Sequence, residues 1–411
     1  MNFFKTTAAT TAIVLMGSTA YADCGIASGN VNILGNEFGA IQALVAGAKE
    51  CASGTVTVES NLTTEHRDIQ VAALTANPAQ YTSAIVANSS IVPLLNEGLI
   101  RPLDDLIAKH GAGIKDTQKI TIDGKVMAIA FMANAQHLYV RQDILDAAGV
   151  DVPTSYEEVI AAGQAIKDAG LMEHPFAMNS KTGWNLGEEF VNMYTGTGGE
   201  FFKPGTAEPS INNENGVLAL NTLKALADLS NPDFLTFDSN ATGAIWEAGD
   251  LAIAQLWGSR ASGILDDEGS TDEITSNTVL AAAPTVGGGD TPASTLWWDG
   301  FTIAANISDE DAEATFIAMV NGIRPEVVSA NNDQAVWLAD GFTPGPAAKG
   351  VFATASAGAR PYPMIPFMGL MHTALGAELS DFLQGNESAE QALADVEAAY
   401  TAAAKEQGFL Q

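Results

Sequence analysis

Several tryptophans of this chain stand directly beside polar residues. Trp184 lies in GWNLGEE, Trp257 lies in QLWGSR, and Trp298 precedes Asp299. Flat indole rings stack on the apolar C–H faces of sugars, while amide, carboxylate and guanidinium groups hydrogen-bond to sugar hydroxyls. This combination predicts a binding site for a polyhydroxylated small molecule, with Trp184, Trp257 and Trp298 in contact with it.

Trp297 and Trp298 are adjacent in 295-TLWWDGFTIAANIS-308, a segment that predicts a buried strand. Neighbouring side chains of a strand point to opposite faces, so the two indoles cannot fill the same core. We predict that Trp297 packs inside a domain and that Trp298 faces the ligand. Asp299 would then accept a hydrogen bond from a ligand hydroxyl.

Common sequence signatures of enzymes are absent. The chain has no G-x-S-x-G elbow, no G-x-x-x-x-G-K-[ST] loop and no H-E-x-x-H helix. Its five histidines are scattered, so their spacing supports no metal site, and no cofactor motif is present. A carboxylate pair for glycoside hydrolysis stays open among the 49 acidic residues. We expect a protein without catalytic activity and keep a secreted glycoside hydrolase as an alternative.

The composition is that of a folded and strongly acidic protein. Its 411 residues suffice for two packed domains, and 47% of them are hydrophobic while 16% are charged. The formal charge is −31, from 18 basic and 49 acidic residues. Such a charge repels phosphate groups and anionic lipids, so nucleic acids and membrane surfaces are poor partners. Solubility is the simpler explanation of the excess acid, ahead of cation binding.

The first residues have the features of a secretory signal peptide. Lys5 is followed by an apolar stretch around residues 12–16 and by Ala-Tyr-Ala at 20–22, an A-x-A cleavage sequence. We therefore exclude residues 1–22 from the fold and expect a periplasmic mature chain. The two cysteines of an exported chain, Cys24 and Cys51, most simply form one disulfide.

The mature chain begins with alternating strands and helices. A strand at 30–36, an amphipathic helix at 38–51 and a strand at 54–61 predict a βαβ unit, whose right-handed crossover implies a parallel sheet. Capping-box sequences mark two later helix starts, at Ser155 and Ser388. The further predicted elements are a helix at 64–76, a strand at 83–86, a helix at 94–107, strands at 122–131 and 136–145, and helices at 153–170, 215–229, 309–322 and 388–407. No flexible linker is present, so crossing strands must join the two domains.

Four segments carry a resemblance to a known family. They are SAIVANSSIVPLLNEGLIRPLDDL at 83–106, the stretch 124–159 that begins with GKVMAIAF and ends with PTSYEEV, WEAGDLAIAQLWGSR at 246–260, and GNESAEQALADVEAAY at 385–400. In this order they resemble the motifs of type-1 extracellular solute-binding proteins of carbohydrate ABC importers, the maltose-binding-protein-like class. Ala130 replaces a frequent proline of that family, and VRQ at 140–142 replaces its Tyr-Asn-Lys.

The resemblance implies an α/β fold of two discontinuous lobes with mixed, mainly parallel sheets, joined by crossing hinge strands as in class II periplasmic binding proteins. It places residues 23–131 and 292–341 in the N-terminal lobe, and residues 132–291 and 342–411 in the C-terminal lobe. A small carbohydrate or polyol would bind in the interlobe cleft and be delivered to an ABC transporter membrane permease after hinge closure. A monomer is usual for such proteins.

Loops at the carboxyl ends of parallel strands supply the first ligand-binding candidates, because open α/β sheets bind ligands there. This rule nominates Asn36 and Glu37 after the first strand, and Asn88 and Ser89 after the strand at 83–86. Each of these side chains is equally compatible with capping the helix that follows.

The resemblance adds further candidates. Asn134 and Gln136 match a cleft-lining position of the family, while Trp257 and Arg260 match a loop that meets the ligand. Arg360 lies beside a Pro-Tyr-Pro sequence in a segment that returns to the cleft. Together, Arg260 and Arg360 leave open an anionic ligand, such as a phosphorylated, sulfonated or carboxylated polyol, although a surface ion pair explains Arg360 equally well.

Overall fold

The structure is a computed structural model that describes residues 24–266 and 268–411; the predicted signal peptide lies outside these residues. The strands are β1 (Gly29–Gly35), β2 (Val56–Leu62), β3 (Ser83–Ala87), β4 (Lys119–Ile122), β5 (Lys125–Asn134), β6 (Gln136–Arg141), β7 (Phe176–Ala177), β8 (Ile253–Trp257), β9 (Thr278–Ala281), β10 (Thr295–Phe301), β11 (Val336–Trp337) and β12 (Arg360–Pro361). The helices of the first half are α1 (Gly39–Lys49), α2 (His66–Thr75), α3 (Ile91–Asn96), α4 (Asp104–His110), α5 (Gln142–Ala148), α6 (Tyr156–Asp168) and α7 (Trp184–Gly196). Those of the second half are α8 (Glu214–Ala227), α9 (Ser239–Glu247), α10 (Ala261–Leu265), α11 (Asp272–Asn277), α12 (Asp309–Gly322), α13 (Pro325–Ala330), α14 (Lys349–Ser356), α15 (Met368–Leu383) and α16 (Ala389–Glu406).

The strands form two mixed sheets, one in each lobe. The first sheet has the order β11-β5-β10-β3-β1-β2, with β4 added to β5 and β12 added to β10. The second has the order β7-β8-β6-β9. The two-lobe α/β fold is therefore confirmed.

Parallel pairing is less extensive than expected. Among the described strands, β1 pairs in parallel with β2 and β3, β7 with β8, and β10 with β12. The pairs around β5 and β6 are antiparallel, because β5 forms a hairpin with β4 and the return strand β10 runs against it. The predicted βαβ unit forms the parallel pair of β1 and β2. Its helix α1 buries Ile41, Leu44 and Val45 against the core of this lobe. Each such side chain stabilises the fold by roughly 1.5–3 kcal/mol.

The chain crosses between the lobes where β5 ends and β6 begins, with only Ala135 between them. The end of β8 lies against this crossing, since the Gly258 N–H donates to the Ala135 carbonyl at 2.9 Å. The return crossing is adjacent, because the Ser294 hydroxyl donates to the Gln136 carbonyl at 2.8 Å. A side chain at position 258 would collide with Val351, so this close approach requires glycine. The two crossings form the hinge.

Two predicted elements differ from those of the structure, one by division and one by an earlier end. The helix expected at 94–107 is divided into α3 and α4, because Gly98 has a φ of +64° and Ile100 forms a β-bridge with Ala304. The strand expected at 136–145 stops at Arg141, where α5 begins.

The disulfide between Cys24 and Cys51 is present, as predicted, and ties the start of the described chain to the end of α1. Within the described ranges, no helix combines the length and apolarity that crossing a bilayer requires. The lobe boundaries at 131/132, 291/292 and 341/342 stay a prediction.

Candidate functional site

A cavity of about 360 Å³ lies between the lobes. The lining residues that belong to the first-lobe elements are Asn36, Phe38, Thr64, Glu65, Arg67, Asp68, Ala87, Asn134, Trp297 and Asp299. Those of the second lobe are Lys181, Thr182, Trp184, Asn185, Asp238, Ser239, Asn240, Trp257, Ser259 and Arg260. Since both lobes form its walls, its width depends on how the lobes are set against each other. A wider groove of about 1130 Å³ on the outer surface of the second lobe has no tryptophan among the described residues that line it.

Three indoles from three different elements meet in the cleft. Trp184 is the first residue of α7, Trp257 ends β8, and Trp297 lies on β10. The Trp184 and Trp257 rings are nearly parallel, with centroids 6.4 Å apart. Trp297 presents its edge to both, with centroid distances of 5.6 Å and 5.7 Å. Such a cluster offers a broad apolar surface for a sugar ring or a polyol chain.

A buried histidine holds one of these indoles in place. His372 is stacked on Trp184 with centroids 4.9 Å apart. The Nε2 atom of His372 is 2.8 Å from the Trp184 carbonyl, so it must donate there, and Nδ1 then accepts from the Tyr362 hydroxyl at 2.9 Å. Burial lowers the pKa of His372 to about 4, which keeps this neutral tautomer at neutral pH. Tyr362 in turn packs on Trp297 at 4.4 Å, so His372 connects two of the cleft indoles.

The fully buried Glu188 of α7 fixes the Trp297 indole through a hydrogen bond. The indole Nε1 donates to Glu188 Oε1 at 3.0 Å, and the Thr295 hydroxyl lies 2.9 Å from the same oxygen. Burial raises the pKa of Glu188 well above its ordinary range, although these two hydrogen bonds act in the opposite direction. Burial therefore disfavours the charged form of Glu188 behind the cleft.

The neighbouring Glu189 is also buried, with 3% of its surface exposed. The Gln136 side-chain amide donates to its Oε1 at 3.0 Å. Burial raises the pKa of Glu189 to about 8, because the opposing effects of Gln136 and Asn179 offset only part of the lost hydration.

Besides the contacts of Trp297, two further side-chain contacts connect the lobes across the cleft. The guanidinium carbon of Arg67, on α2, lies 4.1 Å above the centre of the Trp184 ring, a cation–π arrangement. Asn134, at the end of β5, donates from Nδ2 to the Ser259 hydroxyl at 3.1 Å. Both pairs line the cavity, so a ligand that enters it contacts the groups that hold the lobes together.

Polar groups complete the walls. Asp299 lies on the first-lobe side; burial raises its pKa to about 7, against the opposing effect of the Arg67 guanidinium. On the second-lobe side, Arg260 donates from Nη2 to the Ser239 hydroxyl at 2.9 Å. Asp238 caps α9 and lies 3.4 Å from Lys181 Nζ. The cleft thus offers donors and acceptors around an aromatic floor. Within the described residues, no group of His, Cys, Asp and Glu side chains could hold a metal ion.

The sequence pattern of the family described as bacterial extracellular solute-binding protein matches residues 34–322. That match covers well over half of the chain and includes both crossings between the lobes. The chain belongs to this family.

Solved structures share the fold of this solute-binding protein. An ABC transporter solute-binding protein of Agrobacterium radiobacter, in complex with ribitol, has a TM-score of 0.78 at 19% identity, over 91% of this chain and 98% of that one. One from Agrobacterium vitis, with bound D-mannitol, has a TM-score of 0.76 at 19% identity, over 93% and 99%. A maltose-bound T. maritima protein has a TM-score of 0.76 at 17% identity, over 92% and 100%.

One curated relative is a probable ABC transporter-binding protein of Deinococcus radiodurans. It is 26% identical over 196 residues, which are 46% of this chain and 45% of the relative. The chain therefore matches a little under half the length of that relative.

The structure reverses the expected placement of the paired tryptophans in this solute-binding protein. The two indoles do point to opposite faces of β10. Trp297 lines the cleft and packs on its other indoles, whereas Trp298 is half-buried against the core around Val86, Ile91 and Met127. The prediction that Trp298 faces the cleft is wrong, because the N-terminal half of β10 turns its Trp297 face toward the second lobe.

Several other candidates do line the cavity, and their contacts with a ligand stay a prediction. They are Asn36, Asn134, Trp184, Trp257, Arg260 and Asp299. The sequence assigns these residues to separate loops and strand ends, and the hinge brings them together.

The remaining candidates lie elsewhere. Glu37 is exposed outside the cavity. Asn88 is buried and serves the backbone of β10, since its Oδ1 accepts from the Trp298 N–H at 2.8 Å. Gln136 is buried behind the cleft against Glu189. Ser89 lines an adjoining cavity of about 510 Å³ on the other side of Arg67 and Trp184. Arg360 is exposed and pairs with Glu200 at 3.8 Å, so the surface ion pair is the correct interpretation.

The most consequential residue that the sequence analysis missed is Arg67. The rule that nominated loops after β1 and β3 applies equally to the loop after β2, and Arg67 is the second residue of the helix that follows that loop. Asp238, Ser239 and Asn240 also line the cavity. Their position depends on how α9 packs, and no sequence signal indicates it.

Proposed function

We propose that this chain is the solute-binding component of an ABC importer, which captures a small carbohydrate or polyol between its lobes and delivers it to a membrane permease. It would act as a monomer in the periplasm after removal of residues 1–22. The observation that carries the proposal is the meeting of Trp184, Trp257 and Trp297 with polar groups of both lobes in one cavity.

The physical basis is differential binding to the open and closed forms. A ligand that stacks on the second-lobe indoles and hydrogen-bonds to Asn36, Arg67 or Asp299 touches both lobes at once only when they are closed. Its binding energy therefore shifts the hinge equilibrium toward the closed form. The volume of about 360 Å³ is at the small end of ligand pockets, which favours a small ligand.

The ligands of the structural neighbours support the same class of compound. Those proteins are described with ribitol, D-mannitol and maltose. All three are uncharged, rich in hydroxyls, and have C–H faces on which indoles stack.

The mature protein, incubated with ribitol, mannitol, sorbitol, glucose and maltose, tests the proposal by thermal shift and calorimetry. A ligand at 100 times its Kd stabilises the native state by about 2.7 kcal/mol, which corresponds to about 3 °C for a chain of this size. Amino acids and small peptides serve as the control set. Stabilisation by the control set alone would overturn the assignment to carbohydrates.

We further propose that the chain catalyses no reaction. Asp299 is the carboxyl that a glycosidase could use as an acid, since its raised pKa resembles that of such groups. Chromatography of maltose and nitrophenyl glycosides after long incubation should return them unchanged. Release of glucose or nitrophenol that is lost in the Asp299→Asn variant would establish the glycosidase alternative.

Location is tested separately. The intact mass of protein released from cells by osmotic shock should correspond to a chain that begins at Asp23. A mass that includes residues 1–22 would contradict the proposed signal peptide.

A further inference from the structure

Arg67 has no ion pair in the cleft, and Asp299 is the carboxyl whose charge acts on it most strongly. Its guanidinium is mostly buried above Trp184, and its Nε atom is fully buried without a hydrogen-bond partner. Across residues 24–266 and 268–411, no carboxylate lies within 4.0 Å of Arg67 and no oxygen accepts a hydrogen bond from it. A buried charge without compensation is costly. An incoming ligand that supplied the missing acceptor would remove this cost.

The local backbone makes the position more electropositive. Arg67 lies in the first turn of α2, where the helix dipole disfavours a cation. The helix α7 begins at Trp184, directly beneath the guanidinium, and its first turn has neither a capping side chain nor an acidic residue. The N-terminal ends of α2 and α7 therefore both lie near the guanidinium, and Asp68 in the first turn of α2 offsets part of their positive potential.

The acidic side chains nearby do not cancel this charge. Burial raises the pKa of Glu188 well above its ordinary range and so disfavours its charged form. Burial raises the pKa of Asp299 to about 7, so that carboxyl is ionised only in part. Asp68 is exposed at the rim, where water screens it. The charge of −31 acts from the outer surface and is screened over about 8 Å at physiological salt.

A second incompletely used guanidinium lines the same cavity. Arg260 donates to Ser239 through Nη2, but its Nε is buried and has no partner among the described residues. The Nε–H and Nη–H groups along one edge of a guanidinium match the two oxygens of a carboxylate. The cleft therefore presents an unused donor edge on Arg67 and a partly used one on Arg260, of the kind that planar anions require.

We infer that the ligand of this cleft carries a carboxylate, as in a sugar acid, and that Arg67 is the residue that determines this specificity. The inference rests on the proposed function and deepens it. The indoles would hold the carbon skeleton, as for a neutral polyol, and Arg67 would bind the carboxylate at one end.

Matched pairs of ligands test this inference, because they differ only at one terminal carbon. Calorimetry at pH 7.5 compares ribonate with ribitol, mannonate with mannitol, gluconate with sorbitol, and maltobionate with maltitol. For the skeleton that fits, we expect the acid to bind about 10- to 100-fold more tightly, as for a charge-assisted hydrogen bond. The advantage should shrink with added salt.

Variants assign the effect to Arg67. Arg67→Gln should abolish the advantage of the acid, so that the acid and its neutral partner bind this variant with similar affinity. Arg67→Lys retains the charge without the planar donor edge, so part of the advantage should remain. Arg360→Gln is the matched control, since it removes the same charge from an exposed position outside the cavity, and it should retain the full advantage. Circular dichroism of each variant verifies folding.

The outcomes are distinct. Equal or tighter binding of the neutral partners would overturn the carboxylate inference and leave the proposed function intact. Tighter binding of sorbitol 6-phosphate than of gluconate would also overturn it, in favour of a phosphate ester. Failure of every acid and every neutral polyol or sugar to bind would overturn both the inference and the proposed function.

Discussion

Replacing Glu189 with glutamine should stabilise the protein at neutral pH, even though the change removes a buried carboxyl. Glutamine has the same shape, and its side-chain oxygen can keep the hydrogen bond from Gln136. Unlike a carboxyl, the amide does not ionise, so its burial carries no cost that depends on pH. The gain should therefore depend on pH in a way that follows from the pKa of Glu189.

The size of the effect follows from that pKa. Burial raises it from 4.5 to about 8, so the folded state holds a proton that the unfolded chain releases above about pH 4.5. Each pKa unit corresponds to about 1.4 kcal/mol. At pH 7 the native carboxyl therefore costs about 3 kcal/mol of stability, while at pH 4 both states are protonated and the cost vanishes. For a chain of this size, the unfolding entropy converts about 3 kcal/mol into about 4 °C.

Calorimetric unfolding of both proteins between pH 4 and pH 8 measures the difference. His66, His137 and His372 also have pKa values lowered by burial, but they are common to both proteins and cancel. Glu59→Gln, at an exposed position of β2, is the matched control and should shift the unfolding temperature by less than 1 °C. A Glu189→Gln advantage that is independent of pH, or a loss of stability at pH 7, would refute the reasoning.

Three further predictions concern the cleft and the N-terminus. Trp297→Phe should weaken ligand binding about 5- to 10-fold by calorimetry, since phenylalanine offers a smaller stacking surface. Trp298→Phe should leave the Kd unchanged and lower the unfolding temperature. The reverse pattern would contradict the placement of the two indoles. Acidification from pH 6.5 to pH 4 should lower the free energy of unfolding, measured in urea, by about 3 kcal/mol more for the wild type than for His372→Gln. The reason is that the folded pKa of His372, about 4, lies below the ordinary 6.5, so the unfolded chain binds the proton first. Parallel pH profiles would argue against a buried neutral His372. Cys51→Ser should lower the free energy of unfolding by about 3.5 kcal/mol, from loop-closure entropy over a separation of 27 residues, and the reduced wild type should match the variant.

The local features of this protein could be predicted from its sequence. The βαβ unit follows from apolar periodicity in consecutive segments, and the starts of α6 and α16 follow from Ser155 and Ser388, whose hydroxyls accept from backbone N–H groups three residues later. The disulfide follows from there being two cysteines in a chain with a predicted signal peptide. Alternation along β10 also required Trp297 and Trp298 to separate. These features depend on the types and spacing of residues along the chain, so they can be inferred without the tertiary structure.

The tertiary structure decided which face of β10 meets the second lobe, and therefore that Trp297 lines the cleft. It also decided that Arg67 lies over Trp184 with no carboxylate at ion-pair distance, while the equally promising Arg360 lies at the surface beside Glu200. Both outcomes depend on how two lobes, folded around separate sheets, are set against each other by the crossing at Ala135. That arrangement is a sum of many packing contacts between residues far apart in the chain, so no single motif encodes it.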